Sequence, residues 1–97
     1  DMRRTKSEPI GDLLRQFLRQ QGLESPLNEY RLIQGWTHVM GPIVARYTRN
    51  LAIRNQTLYV QLSSPVLRQE LMMQRHELVE RLNAYAGAQV ICNLVVS

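Results

Sequence analysis

The sequence is short of the residues that most site chemistry requires. Its one cysteine, Cys92, leaves these 97 residues without an internal disulfide or a cysteine-based zinc cluster. Two histidines, His38 and His76, fall on separate predicted helices. Two imidazoles with no clear carboxylate partner make a poor metal site. The five glycines stand singly, at helix ends or inside a helix, so no glycine-rich loop is available to cradle a phosphate. No serine or cysteine occupies a nucleophile elbow or lies beside a base in the sequence. No apolar run approaches the roughly 20 residues that cross a bilayer, and no signal peptide is visible. These absences lead to the expectation of a cytoplasmic non-enzyme with no catalytic residues, no metal and no cofactor.

What is present is ordinary globular material. Hydrophobic residues make up 44% of the chain and charged ones 21%, so it has the composition of one folded domain. A chain of this length buries roughly 60–70% of its unfolded surface. Twelve basic residues face eight acidic ones, for a net charge of +4, and all the basic residues except Lys6 are arginine. Arginine forks onto phosphates and stacks on flat rings, which lysine does poorly. That balance suits nucleic acid, and it also suits an acidic protein partner.

Residues 1–7 read as a flexible basic arm and residues 8–97 as a single domain. Ser7 caps a first helix, with Glu8 and Pro9 in its opening turn. Ile10, Leu13, Leu14, Phe17 and Leu18 then recur at the spacing of one buried helical stripe, and Gly22 ends the helix. Ser25 and Pro26 open a second helix that runs to Met40, with Leu27, Tyr30, Leu32, Ile33, Trp36 and Val39 on a broad apolar surface. Gly35 inside it costs about 1 kcal/mol relative to alanine, which points to close backbone packing there. Gly41-Pro42 stops this helix and begins a short turn.

The period then changes from 3.6 to 2. "NLAIRNQTLYVQLS" reads as two strands around Asn55-Gln56, with Arg54 opposite Thr57, Ile53 opposite Leu58 and Leu51 opposite Val60. The pairs Ala52–Tyr59 and Asn50–Gln61 fall on the other face, so the apolar pattern sets the register. Ser64-Pro65 opens a long helix over residues 65–86, spanning roughly 33 Å, with Leu67, Leu71, Leu78, Leu82 and Tyr85 inward. "QVICNLVV" reads as a last, well-covered strand. The fold class is therefore α+β, in the order α-α-β-β-α-β. A parallel crossover gives a small three-stranded mixed sheet with helices on one face.

Among the aromatics, Phe17, Tyr30, Trp36 and Tyr85 lie on core lines. Tyr59 alternates with Leu58 and Val60, so it points to the opposite face, together with Arg54. An exposed tyrosine beside arginines on a sheet can serve as a stacking platform for single-stranded nucleic acid. The candidate nucleic-acid residues are Arg46, Arg49, Arg54 and Tyr59, with Arg68 and Arg75 as secondary contacts. The competing role for each arginine is an ordinary solvated charge.

The succession of "WTHVMG" at 36–41, "IVARYT" at 43–48, "LYV" at 58–60, Ser63-Ser64 with Gln69-Glu70-Leu71, and Leu82-Asn83 resembles the DciA family over residues 8–96. That resemblance implies a K-homology-like fold and association with the bacterial replicative DNA helicase, DnaB, as its loader or operator. It also implies binding to single-stranded or branched DNA. The Gly-x-x-Gly loop of true K-homology domains is absent, so their clamp on the nucleic-acid backbone is not implied. The residues themselves leave two alternatives open, a protein-interaction module docking an acidic partner and an RNA-binding regulator. A hydrolase would need His38 and His76 to meet in a pocket.

Overall fold

The computed structural model describes residues 10–14, 16 and 24–97. The apolar alternation becomes a hairpin of β1 (Thr48–Arg54) and β2 (Thr57–Leu62). The strands pair in the register dictated by the sequence, from Arg54↔Thr57 to Asn50↔Gln61. Asn55 and Gln56 both take positive φ, 52° and 60°, so the two-residue turn is of type I′. Beyond Asn50 the next pair is Thr48↔Leu62, which leaves Arg49 as the extra residue of a β-bulge. The third strand, β3 (Asn93–Val96), runs parallel to β2, and the order β1-β2-β3 places β2 at the centre.

The second predicted helix is divided. It begins at Glu24, one residue ahead of the expected Ser25 cap, as α1 (Glu24–Gln34), and resumes as α2 (Trp36–Met40). Gly35 between them shares its N–H between the Arg31 and Leu32 carbonyls, both at 3.0 Å. A Cβ at Gly35 would lie within 3.0 Å of the Tyr85 ring, which is the close packing that its position in the sequence suggested. Gly41 turns to φ 92°, and Pro42 opens a further helix, α3 (Pro42–Tyr47), where the sequence indicated only a turn.

The expected helix 65–86 is divided too, into α4 (Pro65–Met73) and α5 (Arg75–Ala86), with Gln74 outside helical geometry. No glycine or proline announces this break. The Arg75 guanidinium spans the break, donating to the Met72 carbonyl at 3.3 Å, while Ser64 caps the start of α4 by accepting from the Leu67 N–H at 3.2 Å. Gly87, left-handed at φ 78°, ends α5.

The last strand is shorter than "QVICNLVV" and lies at a sheet edge, with Leu94 fully buried on its inner face. Buried Asn83 is the reason for the short strand. Its Oδ1 accepts from the Val90 and Ile91 amides at 2.9 and 3.1 Å, and its Nδ2 donates to the Ile91 carbonyl at 2.8 Å. The backbone at 90–91 therefore bonds to a helix side chain instead of a neighbouring strand.

The core is built on one face of the sheet. Leu58, Val60, Leu62 and Leu94 meet Leu32 and Trp36 from α1–α2, and Leu71, Leu78 and Leu82 from α4–α5. Trp36, only 1% exposed, donates its indole N–H to Thr48 Oγ1 at 2.9 Å, and that hydroxyl donates to the Val44 carbonyl at 2.8 Å. This chain of bonds fixes α2 and α3 to the start of β1.

Three expectations about burial are overturned. Ile10, Leu13 and Leu14 are helical but exposed, because α1, α4 and α5 already close the core without them. Tyr30 is 64% exposed, since Leu32 and Trp36 occupy the inward line of α1–α2. Tyr85 is half on the surface, lying across Gly35. The arm 1–7, the Ser7 cap, Phe17, Leu18 and Gly22 lie outside the described residues.

Candidate nucleic-acid interface

With the helices gathered on the inner face, alternation turns a second set of side chains outward. Asn50, Ala52 and Arg54 come from β1, Thr57, Tyr59 and Gln61 from β2, and Asn93 and Val95 from β3. The set contains no acid. Tyr59 stands at its centre, paired with Ala52 on one side and Val95 on the other, and is 36% exposed. Arg54 and Tyr59 are diagonal neighbours across the hairpin, a spacing that a long side chain bridges. The Arg54 guanidinium carbon lies 4.7 Å from the Tyr59 ring centroid, a cation–π contact worth roughly 0.5–1 kcal/mol at an exposed site.

The bulge places a second arginine near this face. Thr48 turns inward to Trp36, and Leu51 turns inward to the core, so Arg49 and Asn50 are both exposed between them. The Arg49 guanidinium donates to the Arg46 carbonyl at 3.3 Å, which ties the bulge to the last turn of α3. Arg46 is itself exposed. From Asn50, beside the bulge, to Arg54 is about 13 Å at strand rise. The structure therefore brings Arg46, Arg49, Arg54 and Tyr59 into one region around the hairpin.

Arg68 and Arg75 lie on helices rather than on the hairpin. They stand on α4 and α5, which pack against the inner face, and both are half-buried. Arg68 donates to the Leu62 carbonyl at 2.9 Å, bracing the end of β2, while Arg75 braces the break between the helices. Each retains further N–H donors, since a guanidinium has five.

Two features of this region were not among the sequence-derived candidates. The first is charge segregation: from Tyr30 to Gln69 the chain has no acidic residue, yet it carries Arg31, Arg46, Arg49, Arg54 and Arg68. That signal is visible in the sequence by simple inspection. The second is the polar frame of Thr57, Gln61 and Asn93 around Tyr59. Asn93 and Val95 could be placed only once the parallel register was known.

Other candidate chemistry lies elsewhere. His38 is exposed on α2 with its ring 5.1 Å from that of Tyr85, and His76 is exposed near the start of α5. Among the described residues, no group of three His, Cys, Asp or Glu side chains is placed to hold a metal ion. No described helix is long and apolar enough to cross a membrane.

Comparison with known proteins bears on the whole chain. The model of a family described as "Dna[CI] antecedent, DciA" matches residues 9–96. A curated relative, the UPF0232 protein of Mycolicibacterium paratuberculosis (strain ATCC BAA-968 / K-10), is 26% identical over 90 residues, covering 93% of this chain and 50% of the relative. The chain thus spans about half the length of the curated relative it matches.

Proposed function

The chain belongs to the DciA family, and from that premise we propose that it is a non-enzymatic replication accessory that binds nucleic acid through its outer sheet face and engages the replicative DNA helicase of the DnaB type. Family membership implies a helicase-loader-type role in replication. The helicase contact and the nucleic-acid contact at named residues are our reading. The observation that carries the second is the acid-free outer face, with Arg54 laid over Tyr59 and Arg46 and Arg49 at the neighbouring bulge. A hairpin followed by a helical crossover and a parallel third strand supports the K-homology-like relation. With no Gly-x-x-Gly loop in the sequence, the nucleic acid is held by side chains rather than by a backbone clamp.

Fluorescence anisotropy with labelled single-stranded and forked DNA tests this assignment. The wild-type protein binds both, and the Arg49→Glu/Arg54→Glu double variant loses at least ten-fold (about 1.4 kcal/mol) in affinity while remaining folded. Unchanged binding by that variant rejects the site.

A second reading rests on α3, where Ile43 and Tyr47 are exposed on either side of Arg46. An apolar patch with a basic rim fits an acidic protein segment, and the domain then acts as a protein-interaction module. Capture of the helicase from nuclease-treated lysate, with no DNA binding by the purified domain, favours this second reading. Loss of the complex on nuclease treatment favours the first.

A further inference from the structure

We propose that the Arg54 guanidinium, seated over the Tyr59 ring, is itself the stacking surface for an unpaired base, and that this makes the outer face selective for single strands over duplex. The inference rests on the nucleic-acid reading above and adds the form of nucleic acid and the division of labour between two residues.

A bare tyrosine on a sheet offers its own ring to a base. Here one ring face is already occupied, because Arg54 lies over it at 4.7 Å. On that side of the ring a base meets the guanidinium first, and Arg54 is exposed. Bases stack on guanidinium planes as they do on aromatic rings, and the positive charge adds attraction for the neighbouring phosphate. Tyr59 thus acts as a positioning residue. It removes rotameric freedom from a long side chain that would otherwise have to be ordered on binding.

The surroundings suit one flat ligand. Ala52 and Val95, the cross-strand partners of Tyr59, are short and half-buried, so they leave a level floor. Thr57 and Asn93, paired with each other in the row of Arg54, supply uncharged donors and acceptors at its edge. A base can stack on the guanidinium only when it is unpaired and unstacked from its neighbours. A duplex presents phosphates to the same arginines and gains the charge term alone.

The test separates charge from planarity. Affinities are measured for oligodeoxythymidine and for a blunt duplex of equal length, with wild type, Arg54→Lys, Tyr59→Phe and Tyr59→Leu, each checked for folding by thermal melting. Arg54→Lys keeps the charge and removes the planar cation. It loses roughly 10-fold on the single strand and less than about two-fold on the duplex. Tyr59→Leu behaves like Arg54→Lys, whereas Tyr59→Phe, which keeps the ring, stays within about two-fold of wild type on both. Equal losses on both DNAs, or no loss on either, overturn the stacking role while leaving the nucleic-acid reading intact. A Tyr59→Phe loss as large as that of Tyr59→Leu overturns it as well, because the hydroxyl would then be the contact. Failure of the wild-type protein to bind either DNA overturns the functional reading itself.

Discussion

Asn83 and Gly35 show how single residues hold this molecule together from positions that carry no charge. Asn83 is the one buried polar residue among those described, and it satisfies three backbone groups of the 90–91 segment. Asn83→Ala leaves both amides without that acceptor, at a cost of about 1–3 kcal/mol for each buried unsatisfied group. Urea unfolding therefore records a loss of at least about 2 kcal/mol; a change below 0.5 kcal/mol, about the size of an ordinary surface substitution, contradicts the role. Gly35 poses the opposite problem. Alanine favours a helix by about 1 kcal/mol over glycine, but its Cβ meets the Tyr85 ring. Gly35→Ala destabilises the wild-type background by about 1–3 kcal/mol through overpacking. In a Tyr85→Ala background the same substitution is neutral or stabilising, a sign change that a double-mutant cycle reads directly. Equal effects in the two backgrounds rule out the ring as the obstacle.

At the scale of elements, local and tertiary signals divide according to what determines them. The hairpin was legible because Leu51, Ile53, Leu58 and Val60 can all reach the core in only one register, and a one-residue slip would turn them outward. The turn was not, because nothing in Gln56 advertises a left-handed conformation, which it nevertheless adopts at φ 60°. The helix breaks were hidden for a related reason. Gly35 looks like a tolerated helix glycine until the Tyr85 ring is placed on it, and Gln74 has no breaker chemistry at all. The short β3 depends on Asn83, which is seven residues from Val90 in sequence and belongs to another element. As for the candidate site, Arg54 and Tyr59 were legible from alternation alone, whereas Arg49 owes its outward position to a bulge that the pattern does not encode. The turn gives an element-level prediction. Gln56→Gly removes a left-handed strain of roughly 1–2 kcal/mol and adds back some chain entropy, for a net gain of about 0.5–1 kcal/mol. A higher urea midpoint with an unchanged m-value supports this assignment, and a lower midpoint contradicts it.

For the whole molecule, the arrangement is a sheet with two unlike sides. The inner side carries the hydrophobic core beneath α4 and α5, and on those helices Glu70, Glu77 and Glu80 are matched by Arg68, Arg75 and Arg81. Among the described residues, the outer strand face and the neighbouring bulge hold arginine and no acid. Under the proposed function, the domain approaches a polyanion with Arg46, Arg49 and Arg54 leading. The measurement that tests this account most directly is the salt dependence of single-stranded DNA binding. If those three arginines each neutralise a phosphate, the log–log slope is roughly −2, and affinity falls about 20-fold between about 50 and about 200 mM salt. In the Arg49→Glu/Arg54→Glu variant the slope flattens toward zero along with the loss of affinity. A wild-type slope near zero, or a slope that the double substitution leaves unchanged, contradicts the account.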